Sequence, residues 1–273
     1  MIHICDLHTH STASDGQYTP SELAALVRRR GAEAWALTDH DTTDGVAEAM
    51  RVGEALGLRV IPGIELSAKE YHTFHILGYA YNPADAGLAR LCAAMKKSRD
   101  EREQRIVDYL AANGMPLTLA EVGEIAGGNI IGRPHFAQAM VLRGYVGSNR
   151  EAFDRWLDTE DYHAQVAYVK PSARECVETI KAAGGKASLA HPYQIGVDDG
   201  ALETIVRELV GYGLDAIECF YPKFTPEMQA FYLHLTEKYG LHATGGSDFH
   251  GERVKPDVSL AAVPLELDWL SGE

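Results

Sequence analysis

Two short motifs at opposite ends of the chain carry the most chemical information: Asp6-Leu7-His8-Thr9-His10 and Asp248-Phe249-His250. Residues two apart on an extended strand project to the same side, so each motif can turn two donors toward one cation. Between the motifs stand Asp15, the run Asp39-His40-Asp41, Glu65, His75 and His191. Imidazole and carboxylate without thiolate suit zinc, manganese or iron, and the carboxylate share favours a harder ion such as manganese. Eight or nine donors exceed what one ion uses, so two or three divalent ions are expected, with Glu65 as the natural bridge between two of them.

Each residue alone has a plainer explanation. An isolated His-x-His is a weak signal, and a single histidine in a strand is more often packed and hydrogen-bonded than a ligand. Asp15 and Asp41 could each be turn or helix-cap residues. Asp6 is expected to orient a ligand imidazole rather than to bind an ion itself. His72 competes with His75, which is preferred because apolar residues flank it on a plausible strand. His3, His163, His234 and His242 read as structural or surface residues. The joint pattern is harder to explain away, and it becomes visible once the donors are placed on the elements that must hold them.

The first third alternates strand and helix. Residues 2–6 form a strand, and a helix follows to about Arg30 with Thr19 at its cap, Pro20 at its first position and Glu22 at the third. A strand at 34–38, a helix at 45–56, a strand at 59–61 broken by Pro62, and a strand at 74–79 follow. The alternation resumes with a helix at 172–183, a strand at 186–190, a helix near 201–210, a strand at 216–219, a helix at 226–239 and a strand at 242–244. Such alternation indicates βαβ units around a parallel sheet. On this map the donors follow strand ends, which converge on one mouth in a parallel α/β barrel. Gly245-Gly246 would let the backbone lie close to a crowded site there.

Residues 83–168 show no strand pattern and read as a helical insertion capping the mouth, leaving 1–82 and 169–273 as a discontinuous barrel. The run Lys96-Lys97-Ser98-Arg99-Asp100-Glu101-Arg102 reads as a solvated helix face with pairs such as Lys97–Glu101. Cys5, Cys92, Cys176 and Cys219 form no CxxC pair and read as free thiols. No apolar run approaches the ~20 residues of a membrane span, no secretory leader is evident, and a cytoplasmic location is expected. With 25 Lys and Arg against 39 Asp and Glu, the net charge is −14, which repels duplex nucleic acid and anionic membranes. A small phosphoester or a short single strand stays acceptable, because divalent cations invert the local field of an acidic pocket.

Asp6-Leu7-His8-Thr9-His10-Ser11, Ser14-Asp15-Gly16, Leu37-Thr38-Asp39-His40-Asp41, Gly63-Ile64-Glu65 and Gly246-Ser247-Asp248-Phe249-His250 together resemble the motifs of the PHP (polymerase and histidinol phosphatase) superfamily. The resemblance spans the whole chain. It implies a distorted (β/α)7 TIM-like barrel with a trinuclear site. One ion would be held by His8, His10, Glu65 and Asp248, a second by Glu65, His75 and His191, and a third by Asp15, His40 and His250. The segment Gly132-Arg133-Pro134-His135-Phe136 is similar to the branch that acts on 3′,5′-nucleoside bisphosphates and on 5′ ends of short RNA.

The reaction implied is hydrolysis of a phosphate ester by a metal-bound hydroxide, with His191, Asp248 and His250 at the reaction centre. Arg133 and His135 are candidates for gripping a phosphate, and Trp35 or a tyrosine could stack on a base. A histidinol phosphatase would use the same ions under a different insertion. An amidohydrolase or deaminase also opens on His-x-His, but that class usually adds a bridging lysine and a lone closing aspartate. A non-catalytic metal-binding module has no need of an open hydrolytic centre.

Overall fold

The computed structural model describes residues 2–126, 131–166 and 169–271. The chain divides into two compact units, Met1–Ala93 with Lys170–Glu273, and Ala94–Val169. The first break falls inside a helix, Ala86–Ala112, rather than at residue 83. The expected second boundary at residue 168 lies outside the described residues.

The first unit is built on one eight-stranded sheet: β1 (Ile2–Asp6), β2 (Ala34–Leu37), β3 (Arg59–Ser67), β4 (His75–Tyr79), β5 (Lys186–Leu189), β6 (Ala216–Phe220), β7 (His242–Gly245) and β8 (Val263–Glu266). Their order is β7-β6-β5-β4-β3-β2-β1-β8, a nearly closed, distorted TIM-like barrel. Helix α1 (Pro20–Arg29) opens on the full capping box, with Thr19 accepting from the Glu22 amide and Glu22 accepting from the Thr19 amide. It packs with α2 (Val46–Leu56) over Trp35, Leu37 and Leu58. Inside the barrel, Cys5, Leu7, Ala34, Ala36, Leu77 and Tyr79 form a second buried cluster.

Two strand expectations are corrected, and one strand is unanticipated. The sheet is not all parallel, because β4 runs antiparallel to both β3 and β5. Residues 68–74 are too short for the crossover that a parallel partner requires. The strand at Arg59 does not break at Pro62 but runs on to Ser67. The missing amide hydrogen is tolerated because β3–β4 pairing ends at Gly63–Tyr79, and the Pro62 carbonyl still accepts from Ala80 N (2.9 Å). Finally, β8 pairs antiparallel with β1. Its sequence, Val-Pro-Leu-Glu, is too short and too proline-interrupted to show an alternating pattern.

The β4 reversal matters for the site. Its register with β3 pairs His75 with Ser67, so the first residue of β4, not the last, stands at the barrel mouth. At that mouth the chains leaving β1 and β7 continue side by side. Leu7 N donates to Gly245 O (3.1 Å), Asp248 N to His8 O (2.8 Å) and His10 N to Phe249 O (2.9 Å), with a parallel bridge between Thr9 and Phe249. The two end motifs therefore run side by side beyond the strands, joined by backbone hydrogen bonds, with a left-handed residue at Asp248.

The regular elements described in the second unit are all helical, with helices Leu119–Ala126, Arg133–Leu142, Asn149–Ala152 and Glu160–Gln165 and a π-turn at Phe153–Leu157. Leu110, Val122, Phe136, Met140, Leu157 and Tyr162 are buried in its core. On the long helix the exposed Lys97–Glu101 pair is present at 3.9 Å. Cys5, Cys176 and Cys219 are buried and Cys92 half-buried, all as free thiols. Among the described residues no helix is long and apolar enough to cross a membrane.

Candidate metal centre

Glu65, near the end of β3 and fully buried, sits at the middle of a ring of imidazoles. Its Oε1 receives His75 Nδ1 at 2.8 Å and His191 Nε2 at 2.9 Å. Its Oε2 lies 3.1 Å from His40 Nδ1 and 3.2 Å from both His8 Nε2 and His10 Nε2. Asp248 Oδ1 stands 3.3 Å from His10 Nε2 and 3.6 Å from His8 Nε2. On the far side of His10, Asp15 lies 3.3 Å from His250 Nε2 and 3.9 Å from His40 Nε2. All nine expected donors therefore gather in one cluster of the first unit. It opens to solvent where His75, His40 and Asp15 keep 15%, 19% and 36% of their side-chain exposure.

Three overlapping groups could each hold an ion: His8, His10, Glu65 and Asp248; His10, Asp15, His40 and His250; and His40, Glu65 and His75. Nitrogen and oxygen ligands stand about 2.0–2.2 Å from such an ion, so two of them fall some 3–4 Å apart, as here. Orphaned atoms supply the fit test. His8 Nε2, both ring nitrogens of His10, His40 Nδ1, Glu65 Oε2 and His191 Nδ1 are buried without a hydrogen-bond partner. Leaving one such group bare costs about 1–3 kcal/mol, so a cluster of them asks for cations. The donors are nitrogen and oxygen only, which suits manganese, zinc or iron.

The surrounding residues fix how the rings present themselves. Glu218, buried in β6, accepts from His8 Nδ1 (3.0 Å) and from the His191 backbone amide (2.7 Å). With its proton on Nδ1, His8 turns the Nε2 lone pair inward. His250 Nδ1 donates to the Asp248 carbonyl (2.9 Å) and likewise leaves Nε2 for an ion. Asp248 Oδ2 accepts from Tyr221 Oη (3.0 Å) and Lys255 Nζ (2.7 Å), so Oδ1 alone faces the imidazoles. Asp39 accepts from Ser11 N, Ser11 Oγ and Ser14 Oγ at 2.6–2.7 Å, bracing the loop that carries Asp15. His191 (φ 23°) and Asp248 (φ 56°) sit in the left-handed region, which costs a non-glycine residue about 1–3 kcal/mol.

Sequence reasoning missed Glu218, Tyr221 and Lys255. Glu218 had a signal, a lone acid in the apolar strand Ala216-Ile217-Glu218-Cys219; the other two had none. The expectation for Asp6 is corrected. It touches no imidazole but accepts from Ser247 N (2.9 Å), Ser247 Oγ (2.7 Å), Ala261 N (2.8 Å) and His8 N (3.3 Å), pinning backbone instead. Burial pushes its carboxyl up to about 6. Asp41 is a turn residue at φ 56° whose carboxylate accepts from Ser67. Trp35 is withdrawn as a stacking candidate, since it is fully buried with Nε1 on Thr9 Oγ1 (2.8 Å). Arg133 and His135 belong to the second unit. There Arg133 Nη1 meets Asp158 (2.7 Å) and the Leu157 carbonyl (3.2 Å), and His135 Nδ1 accepts from Gly132 N (3.0 Å).

The PHP domain model matches residues 6–159. The chain belongs to the PHP family. It is 33% identical over 248 residues to the 3′,5′-nucleoside bisphosphate phosphatase of Chromobacterium violaceum, covering 90% of this chain and 86% of that one. It is 31% identical over 249 residues to the 5′-3′ exoribonuclease of Haemophilus influenzae (90% and 89%). To the phosphoribosyl 1,2-cyclic phosphate 1,2-diphosphodiesterase of Eggerthella lenta it is 33% identical over 253 residues (90% and 94%). A crystal structure of a chain predicted to be a metal-dependent phosphoesterase, from Bifidobacterium adolescentis, superposes with a TM-score of 0.78 at 30% identity, covering 98% and 94%. As a PHP member with these relatives, the protein is a metal-dependent phosphoesterase.

Charge makes ion binding pH-dependent, with a definite sign. Burial opposes protonation of His10, but Asp248 and Glu65 outweigh it and carry the ring from 6.5 to about 9. Burial likewise opposes His8, yet Glu218, Glu65 and Asp248 hold it well above its usual value. A raised histidine stabilises the ion-free fold fully below about pH 6.5 and stops doing so as pH rises through its folded-state value. A bound ion needs the neutral ring, so its contribution grows over that same interval. The gap in Tm between the manganese-loaded and the chelated PHP protein should widen from pH 6.5 to 9. Scanning calorimetry at steps across this range checks it, and a constant or shrinking gap counts against an ion at His10.

Proposed function

We propose that this PHP protein hydrolyses phosphate esters of small ribonucleotides, with a 3′,5′-nucleoside bisphosphate such as adenosine 3′,5′-bisphosphate as the preferred type and short 5′-phosphorylated RNA as a second. The observation that carries the hydrolytic part is the Glu65 carboxylate ringed by five imidazoles, three of which, His8, His10 and His40, face it with nitrogens that have no hydrogen-bond partner. The ribose part is supported by the relatives, whose names share a phosphate ester on a ribose.

In this reading His8, His10, Glu65 and Asp248 hold one ion, Glu65, His75 and His191 a second, and Asp15, His40 and His250 a third. Manganese is the first choice, with zinc or iron as alternatives. Bound there, divalent ions supply Lewis-acid stabilisation of phosphoryl charge and bring water ionisation near neutral pH. The chain's own part is positioning. Glu218 keeps the proton of His8 on Nδ1, and Tyr221 with Lys255 keeps Asp248 Oδ1 turned inward. His191, Asp248 and His250 stand where ester and water would meet. Arg133 and His135 are proposed to bind a substrate phosphate, on the donor chemistry of their side chains.

The test is direct. Purified protein with manganese is assayed for phosphate release from adenosine 3′,5′-bisphosphate and histidinol phosphate, and for nucleotide release from a 5′-phosphorylated tetranucleotide. Turnover of the bisphosphate, of the RNA, or of both is expected, with histidinol phosphate poor. Preference for histidinol phosphate, or no turnover of any of them by ion-loaded protein, sinks the nucleotide reading.

A further inference from the structure

We propose that Tyr193 and Phe224 form the subsite that receives the base of a nucleotide substrate; this rests on the nucleotide reading above. Both residues stand at the mouth where the imidazoles gather. Tyr193 lies two residues past His191, beyond the end of β5, and Phe224 lies in the turn that leaves β6. Tyr221 lies between them and the acid cluster. Its hydroxyl donates to Asp248 Oδ2 (3.0 Å), and its ring stands 5.6 Å from that of Tyr193 and 5.2 Å from that of Phe224. One aromatic ring thus separates a carboxylate of the centre from the pair, much as a ribose separates a phosphate from its base.

The exposure pattern argues against ordinary core packing. Tyr221 and Tyr232, which back the group, are 8% and 3% exposed, whereas Tyr193 and Phe224 stay partly open to solvent. Their rings meet edge to face, 5.7 Å apart and 80° to one another, and form a corner. The corner is held in place from behind. Phe224 leans edge-on against Tyr232 (4.9 Å), Gln194 Nε2 donates to Tyr221 Oη (3.3 Å), and Thr73 Oγ1 donates to the Gln194 carbonyl (2.5 Å). An aromatic wall with few fixed polar groups beside a charged centre is how small-ligand sites divide the work: the polar groups orient and the rings supply contact. A base has the π-face that such a wall stacks on, whatever its identity.

Steady-state kinetics of the manganese-loaded full chain test this with two substrates, adenosine 3′,5′-bisphosphate and its baseless analogue carrying hydrogen at C1′. For Tyr193→Ala and Phe224→Ala, kcat/KM on the nucleotide should fall about 5- to 140-fold, the range stacking on one aromatic ring is worth, mostly through KM. On the baseless analogue both variants should match the wild type within about twofold. Tyr193→Phe, which keeps the ring, should retain nucleotide activity, while Phe224→Leu, which keeps apolar volume without a π-face, should not. Equal losses on both substrates would reduce the pair to scaffold, and an undiminished nucleotide rate would remove it from the site. A wild type that turns over the baseless ester but not the nucleotide overturns the nucleotide reading itself, a different failure from unselective variants.

Discussion

Glu65→Gln should lose nearly all phosphoesterase activity while the barrel stays folded. No other described side chain touches so much of the centre: Oε1 meets His75 and His191, and Oε2 faces His40, His8 and His10. Burial alone would raise its carboxyl, yet His40, His8 and His75 around it hold it well below the usual carboxylate range. It is therefore a fixed negative charge at neutral pH. Glutamine keeps the volume, so packing changes little, but it removes that charge and turns an amide N–H₂ toward rings that need an acceptor or an ion. Two of the proposed ions share this carboxylate, so both lose a ligand together. Their stabilisation of phosphoryl charge is worth several kcal/mol, so kcat should fall on the order of a thousandfold or more. Elemental analysis of the dialysed variant should show fewer bound ions than the wild type, with an unchanged circular dichroism spectrum. A variant that keeps a full ion complement and more than a tenth of wild-type kcat would remove Glu65 from its bridging role.

Why so much of this centre was legible comes down to periodicity. His8 with His10 and Asp248 with His250 are each spaced two residues apart, and most strand ends could be placed from turn and cap residues, although β3 runs past Pro62 to Ser67. Thr19, Pro20 and Glu22 gave the start of α1 to the residue. What stayed hidden depends on contacts between distant parts of the chain. The reversal of β4 brings His75 to the mouth by its first residue, and only the length of the connection at 68–74 hints at it. β8 is held by pairing with β1 at the opposite end of the sequence, which four residues with a proline cannot announce. Glu218 takes the role that local reasoning suggests for Asp6. Asp6 is adjacent in sequence to the His-x-His pair yet binds the backbone at Ser247 and Ala261. Glu218, 210 residues away, is the acid that orients His8. Proximity in sequence predicts a shared strand; it does not predict which side chain a buried proton meets.

The close approach of the two motif strands makes a second strong expectation. Gly246→Ala should lower both stability and turnover, although the substitution adds one methyl group outside the ring of donors. A Cβ at position 246 would stand 2.4 Å from His8 N and 2.4 Å from His8 Cβ, which are rigid parts of β1's continuation rather than the end of a flexible side chain. The strands must separate, stretching Leu7 N to Gly245 O and Asp248 N to His8 O, now 3.1 and 2.8 Å. Overpacking of this kind typically costs about 1–3 kcal/mol, and for a chain of this size each kcal/mol shifts Tm by about 2–4 °C. His8 and Asp248 would also part, and a displacement of about 1 Å at a reacting centre can cost about a hundredfold in rate. Gly211→Ala is the matched control. It lies in the helix Asp199–Tyr212, and its added methyl would meet nothing within 4 Å. There the substitution should hold Tm or raise it, since alanine lowers the entropy of the unfolded chain. Calorimetry and kcat on the two variants separate the cases. If Gly246→Ala behaves like Gly211→Ala, the strands have slack at His8, and the donors do not depend on the glycine for their spacing.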